Sequence, residues 1–227
     1  MVQHKKGPQA SVVSPGVIAE PFKGEEPAVG WGRYLLRFVT PSGWRELKRD
    51  FMTAVKTGFA IAKFRNRQPG FGMAAFREDA LALYTEVCSA LAAGDHSVLR
   101  QAATPKHYIN LKKQLAARQG GGWAHVAWGL AEQPSQNDVH LLQARLLMMD
   151  PKDEKYAYGQ FTVRFWTSHT FAAYDARGKL VAGDPVRPLP VQDVWVLERA
   201  LLPGPLGRWR AAAQISLPAA ADAAALH

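Results

Sequence analysis

Apolar residues recur with a helical period over the first half of the chain. Between residues 41 and 65 they return every three or four positions, at Trp44, Leu47, Phe51, Val55, Gly58 and Ala62. At about 100° per residue these positions share one side of a helix, while several basic residues share another side. Pro41-Ser42 suits the start of this helix, and Gln68-Pro69-Gly70 ends it. The pattern predicts a basic amphipathic helix.

The helical period continues through residues 73–118. One apolar stripe joins Phe76, Ala80, Leu83, Tyr84, Val87, Cys88 and Leu91. Gly94-Asp95 closes this helix, and two shorter helices are predicted over 97–103 and 107–118. Three successive glycines from Gly120 to Gly122 then end the helical half of the chain.

Residues 123–217 carry strand signals instead. Short aromatic or alternating stretches cover 123–129, 141–149, 161–174, 179–182, 193–202 and 208–217. Asp175-Ala176-Arg177-Gly178 is a turn sequence with glycine where a positive φ is needed, so the flanking strands form a hairpin. Helices followed by antiparallel strands predict an α+β fold, in which a curved antiparallel sheet wraps on the helices around a cone-shaped cavity.

These signals divide the chain into four parts. Residues 1–30 lack a regular period and are rich in glycine and proline, and residues 1–40 are predicted to form an extended N-terminal arm. Residues 41–72 hold the basic amphipathic helix and a linker, 73–217 the α+β domain, and 218–227 a flexible tail. The arm lacks the apolar stretch of a secretory signal, and it is not a clean mitochondrial presequence because it is poor in arginine and carries acids.

Charge is distributed unevenly along the 227 residues. The net charge is +9, from 28 Lys and Arg against 19 Asp and Glu. Residues 1–77 hold 13 basic and 5 acidic side chains, whereas residues 78–227 hold 15 and 14. A basic region attached to a nearly neutral domain is typical of proteins that bind a polyanion, either nucleic acid or an anionic membrane surface.

The densest basic stretch lies between Arg33 and Arg67, where Glu46 and Asp50 are the opposing acids. Its nine basic residues are the candidate RNA-binding residues: Arg33, Arg37, Arg45, Lys48, Arg49, Lys56, Lys63, Arg65 and Arg67. Each cation that neutralises a phosphate releases counterions, so this stretch predicts a salt-sensitive affinity for RNA. The alternative is a solvated helix face that binds nothing.

Aromatic residues accompany the basic stretch. Trp44, Phe51 and Phe59 are candidates for membrane or partner contact, because apolar residues beside lysines and arginines suit an interfacial helix. Packing against the domain or a neighbouring protein is the alternative. The strand region contains five tryptophans: Trp123, Trp128, Trp166, Trp195 and Trp209. Tryptophans of this kind either stack on nucleic-acid bases or pack in the core, and packing in the core is the more common role.

Signals for catalysis and metal binding are weak. The histidines lack metal-ligand spacing, the single cysteine lies on an apolar stripe, and no phosphate-binding glycine loop is present. A single cysteine also excludes a disulfide framework, and no apolar run is long enough to predict a spanning helix. We therefore expect no cofactor, no metal and no enzymatic activity. An enzyme with a cone-shaped pocket would use Tyr84, Asp175 and His169.

The strand region contains short motifs in a fixed order. They are Tyr158-Gly159-Gln160-x-Thr162-Val163-Arg164, Ala173-Tyr174-Asp175-x-x-Gly178-x-Leu180, Val196-x-Glu198 and Gly207-x-Trp209-Arg210. Over roughly residues 73–217 this order resembles the family of mitochondrial large-subunit ribosomal protein forty-five, which carries a Tim44-like domain. The import-motor adaptor and the yeast membrane-associated ribosome receptor share that domain.

The resemblance implies a fold, a function and a location. The fold would be the cone-like α+β barrel of the nuclear transport factor two-like superfamily. The protein would be a structural constituent of the mitochondrial large ribosomal subunit near the polypeptide exit, bound to ribosomal RNA and neighbouring exit-site proteins. In the matrix it would help attach the ribosome to the inner membrane and its insertase, with the nascent chain close by. The alternatives are an adaptor of the protein import motor and, third, a small-molecule enzyme of the cone fold.

Overall fold

The structure is a computed structural model that describes residues 14–17, 40–149, 156–202 and 207–215. Its helices are α1 (Pro41–Arg67), α2 (Met73–Ala93), α3 (His96–Ala102) and α4 (Pro105–Gly120). Its strands are β1 (His125–Leu130), β2 (Val139–Met148), β3 (Ala157–Tyr174), β4 (Leu180–Leu201) and β5 (Arg210–Ile215), with a 3-10 helix at Gln136–Asp138. Arg33, Arg37, most of the predicted arm and the predicted tail lie outside the described residues.

Local sequence signals set the helix ends. α1 begins after Thr40, whose hydroxyl accepts a hydrogen bond from the Gly43 N–H at 3.2 Å. α3 begins after Asp95, whose carboxylate accepts from the Ser97 N–H at 2.9 Å. α2 is followed by Gly94 at a φ of 72°, which glycine adopts without a Cβ clash. All four helices that the sequence predicts are present, close to their predicted ends.

The strands form one antiparallel sheet around the long strand β3. β4 pairs along one side of β3, while β1 and β2 pair with different parts of its other side. β5 pairs with the second half of β4. The Thr104 N–H donates to the Ala211 carbonyl at 2.9 Å, so the link between α3 and α4 continues the β5 edge. The predicted α+β class, with helices on an antiparallel sheet, is confirmed.

Two predictions about the sheet are wrong. The stretches 179–182 and 193–202 belong to one strand, because a bulge opposite β3 accommodates Pro185 and Pro188 without breaking the pairing on either side. Within the bulge the Asp184 carboxylate accepts from the Val186 N–H at 2.8 Å. The described strands also form an open sheet and not a closed cone-like barrel, because β5 meets the α3–α4 link instead of β1 or β2.

The core lies between the sheet and the helices. Alternate residues of a strand face opposite sides, so Phe161, Val163 and Phe165 of β3 face the helices together. They pack with the predicted stripe of α2, where Tyr84 stacks on Phe165 with ring centroids 4.7 Å apart and Phe76 meets Phe161 edge-on at 4.9 Å. Aromatic burial therefore holds α2 on the sheet.

The tryptophans of the strand region divide between core and surface. Trp195 and Trp209 are buried, as the core interpretation predicts. Trp123 and Trp128 are half-buried, and Trp166 is exposed with the Arg164 guanidinium 5.5 Å from its ring centroid. The core interpretation is thus confirmed for Trp195 and Trp209, and Trp128 packs against the core while partly exposed.

The opposite face of the sheet is also buried in part, and a piece of the predicted arm lies on it. Gln160 of β3 and Glu198 of β4 are buried there. The Ser14 hydroxyl donates to Glu198 Oε2 at 2.9 Å. Gln160 Nε2 donates to the Gly16 carbonyl at 2.7 Å and to Glu198 Oε2 at 2.8 Å. Residues 14–17 are therefore attached to the sheet by a shared buried carboxylate.

Replacing that carboxylate, in Glu198→Gln, is expected to raise the free energy of unfolding at pH 7. Burial raises the pKa of Glu198, although hydrogen bonds from Gln160 and Ser14 oppose the shift. The stability that this residue contributes is therefore complete below its unfolded pKa and is lost as the pH rises through its folded pKa. Glutamine keeps the acceptor oxygen and cannot ionise. Urea unfolding between pH 4 and pH 8 measures the effect.

The matched control for this prediction is Glu132→Gln, which removes an exposed carboxylate. Because this side chain is exposed, the variant is expected to leave the free energy of unfolding at pH 7 close to that of the wild type. A Glu198→Gln variant that is less stable than the wild type at pH 7, or that keeps the same pH dependence, would contradict the prediction.

Candidate nucleic-acid interface

α1 is attached to the domain by one face in its second half. The Ala144 N–H of β2 donates to Thr57 Oγ1 at 3.2 Å. Phe64 is fully buried, and its ring stacks on Trp209 with centroids 5.7 Å apart. The ring also lies over Gly159, where an added Cβ would fall 2.8 Å from Phe64 Cδ2. Glycine at position 159 therefore makes room for the ring that fixes the helix.

The apolar stripe that the sequence predicts forms a second face of α1, and this face is exposed. We call it the apolar face; its members Trp44, Leu47, Phe51, Val55 and Phe59 are between 40% and 65% exposed. A large part of each of these side chains is therefore not packed against the described residues. No helix among the described residues, α1 included, is long and apolar enough to cross a membrane. A contiguous exposed apolar patch of this kind is typical of an interaction surface.

A third face of α1, between the other two, carries most of the predicted basic residues. We call it the basic ridge; its members are Arg45, Arg49, Lys56, Lys63 and Arg67. At about 100° per residue they fall within about 40° of one another around the helix. Arg49 forms an ion pair with Asp50 at 3.6 Å, and side chains of both are more than half exposed, so this pair contributes little. Arg45, Arg49 and Lys56 are exposed, whereas Lys63 and Arg67 are half-buried and Arg67 donates to Met148 Sδ at 3.4 Å. The ridge is therefore most open to solvent in its N-terminal part.

The remaining candidates do not join the ridge. Lys48 lies among the aromatic residues of the apolar face, and Arg65 lies on the other side of the helix, each by its angular position. Both residues are exposed. The structure thus brings together five of the nine predicted RNA-binding residues and separates two, while Arg33 and Arg37 are outside the described residues.

One basic residue that the sequence did not single out belongs beside the ridge. Arg145 of β2 borders a groove between α1 and β2, together with Lys56 and Lys63. The groove has a volume of about 350 Å³. The periodicity of α1 cannot identify Arg145, because this residue belongs to a distant strand. It lies next to α1 only because β2 pairs with β3.

The residues that an enzyme would use are not assembled as the sequence suggests. Tyr84 donates to Asp193 Oδ2 at 2.7 Å and lies 3.2 Å from Thr167 Oγ1. Asp175 instead closes the β3–β4 turn, where its carboxylate accepts from the Arg177 N–H at 2.8 Å. Burial raises the pKa of Tyr84, so its hydroxyl stays protonated and serves as a donor to Asp193.

The other polar groups near Tyr84 carry no sign of activation. Burial raises the pKa of the Cys88 thiol to about 12, which keeps it protonated at neutral pH. Burial lowers the pKa of His169, with Asp193 opposing the shift. Among the described residues no group of three or more His, Cys, Asp or Glu side chains is placed to hold a metal ion. The cluster therefore links α2 to the sheet by hydrogen bonds.

Comparison with known families matches residues 57–215 to the Tim44-like domain. The match begins inside α1 and includes Lys63 and Arg67 of the basic ridge, whereas Arg45 and Arg49 precede it.

Among curated proteins, the chain is similar to the large ribosomal subunit protein mL45 of Bos taurus. The two are 28% identical over 164 residues, which is 72% of this chain and 50% of the bovine protein. The chain thus spans about half the length of that relative.

Proposed function

The chain belongs to the Tim44-like domain family, and from this and its similarity to a large-subunit ribosomal protein we propose that it is a structural constituent of the mitochondrial large ribosomal subunit. In this proposal the protein binds ribosomal RNA near the polypeptide exit, beside neighbouring exit-site proteins. Its fold is then that of the nuclear transport factor two-like superfamily, with an open sheet. The protein acts as a scaffold without a cofactor.

The observation that carries the RNA-binding part is the basic ridge. Five cations follow one line along α1, on a helix that the domain holds by another face. A row of this kind matches a line of phosphates, and arginine binds phosphate through two parallel hydrogen bonds. The second half of the chain is almost neutral. Attraction to RNA is therefore concentrated on α1.

Attachment to the inner mitochondrial membrane is the second part of the proposal. The apolar face stands beside the basic ridge, and its aromatic members Trp44 and Phe51, which lie outside the groove between α1 and β2, are exposed. Aromatic residues next to cations suit the headgroup region of an anionic membrane. In the ribosome-bound protein this face would lie toward the membrane and its insertase on the matrix side, close to the emerging nascent chain.

An adaptor of the protein import motor is the alternative within the same family. The similarity to a ribosomal protein favours the ribosomal role. The two functions predict different partners, because an adaptor is expected to bind a translocase and its chaperone in place of ribosomal RNA.

Sedimentation of mitochondrial extracts through sucrose gradients tests the proposed function. We expect the native protein to travel with large ribosomal subunits at low salt and to be released progressively as the salt concentration rises, since its phosphate contacts depend on counterion release. A protein that stays at the top of the gradient at low salt, or that sediments with translocase components, would contradict the proposal.

A further inference from the structure

The groove between α1 and β2 combines cations with an exposed aromatic ring. Lys56, Phe59 and Lys63 of α1 form one wall, and Arg145 of β2 forms the other. Ala60 and Met148 contribute apolar lining between them. The volume of about 350 Å³ lies within the usual range of small-ligand pockets. None of the described residues that line the groove carries a carboxylate.

The spacing of these cations is set by the fold. The hydrogen bond from the Ala144 N–H to Thr57 Oγ1 joins strand and helix next to Arg145 and Lys56. With the Gln143 amide turned so that its oxygen faces Arg145, Arg145 Nε donates to it at 2.9 Å. The guanidinium is therefore positioned by β2 itself, opposite the two lysines of α1.

The aromatic ring in the groove is largely exposed. The Phe59 side chain is 63% exposed, and Lys63 Nζ lies over one face of its ring, 4.9 Å from the centroid. Nucleic-acid bases stack on exposed aromatic rings in single-strand binding sites, and a base on Phe59 would use the opposite face of the ring or replace the flexible Lys63 side chain. A phosphate on either side of such a base would lie within reach of the flanking cations.

We propose that this groove binds one unpaired nucleotide of RNA, with its base stacked on Phe59 and its phosphates held by Lys56, Lys63 and Arg145. The proposal rests on the proposed function, since it assumes that the protein binds ribosomal RNA. Duplex RNA keeps its base faces stacked inside the helix, so it would use the cations and leave the ring unused. A phospholipid headgroup would do the same, because it offers phosphate without a planar base.

The test compares two fluorescent RNA probes of equal length, a hairpin with one bulged nucleotide and the same hairpin fully paired. Anisotropy titration of the full chain is expected to give tighter binding of the bulged probe. Phe59→Leu keeps the apolar volume but removes the aromatic face. It is expected to weaken binding of the bulged probe by about fivefold or more and to leave the paired probe unchanged.

Arg145→Gln tests the contribution of β2. It is expected to make the salt dependence of bulged-probe binding shallower by about 0.7 to 0.9 in the slope of log K against log salt. Arg177→Gln is the matched control, because it changes the net charge equally in the exposed β3–β4 turn. Near-ultraviolet circular dichroism checks that each variant is folded.

Three results would overturn the nucleotide site. One is equal binding of both probes by the wild type, and another is unchanged bulged-probe binding by Phe59→Leu. The third is efficient competition by cardiolipin vesicles for probe binding that is equally strong in the wild type and in Phe59→Leu. That result would identify a site for lipid phosphate. The sedimentation experiment tests the proposed function separately. If the bulged probe is not preferred but the protein sediments with large subunits, only the nucleotide site is contradicted. If the protein does not sediment with large subunits, the proposed function is contradicted.

Discussion

Phe64→Ala is expected to lower the free energy of unfolding by about 3–5 kcal/mol, the usual cost of removing a fully buried aromatic side chain. Phe64 has no exposed surface, and its ring contacts Phe71, Phe161 and Trp209 with centroids 4.6, 5.3 and 5.7 Å away. Its removal leaves a cavity at the contact between α1 and the sheet. Urea unfolding followed by tryptophan fluorescence measures the loss.

Phe59→Ala is the matched control for Phe64→Ala. It truncates the same residue type on the same helix, but at an exposed position. We expect it to change the free energy of unfolding by no more than about 0.5 kcal/mol. Gly159→Ala supplies the complementary test, because its new Cβ would collide with the Phe64 ring and should destabilise the protein too. Equal stability of Phe64→Ala and Phe59→Ala would show that Phe64 does not hold α1.

Reversing three charges of the basic ridge is the second large expected effect. The variant Arg45→Glu, Arg49→Glu and Lys56→Glu should weaken RNA binding by roughly two orders of magnitude at low salt, because three attractive phosphate contacts become repulsive. The slope of log K against log salt should become shallower by about 2 to 3. Filter binding of large-subunit ribosomal RNA over a salt series measures both quantities.

The control reverses three exposed lysines of α4, Lys106, Lys112 and Lys113, and so makes the same change in net charge. We expect it to retain most of the RNA affinity and most of the salt dependence. An equal loss in both variants would assign the effect to net charge. Unchanged binding in the α1 variant would remove the basic ridge from the proposed interface.

The helix α1 illustrates what the sequence predicts and what it leaves open. Its period and its ends follow from residues a few positions apart, and both are predicted well. Which face meets the domain is decided by residues far away in the chain. The large side chains Trp44, Phe51 and Phe59 are exposed, whereas the contact uses Thr57 and Phe64, for which β2 and Gly159 leave room.

The candidate site shows the same limit. The basic residues of α1 are visible in the sequence because they repeat along one helix, but Arg145 joins them only through strand pairing. Tyr84 lies on the predicted stripe of α2, and its carboxylate partner is Asp193 and not Asp175. Partners across a sheet depend on register, and the bulge in β4 shifts that register between the stretches 179–182 and 193–202, which the sequence predicts as separate strands.

The attachment of α1 near one end has a mechanical consequence. The helix has 27 residues, and Phe64 lies close to its C-terminal end. Trp44 lies about 20 Å along the axis from Thr57, the nearest described contact of α1 with β2, at 1.5 Å per residue, so a tilt of about 10° there would move the Trp44 end by about 3 to 4 Å. In such a tilt the helix would pivot about its contacts with β2 and with the aromatic cluster around Phe64. Movement of the Trp44 end would therefore be transmitted to the contact between α1 and β2. There it would widen or narrow the groove that Arg145 borders.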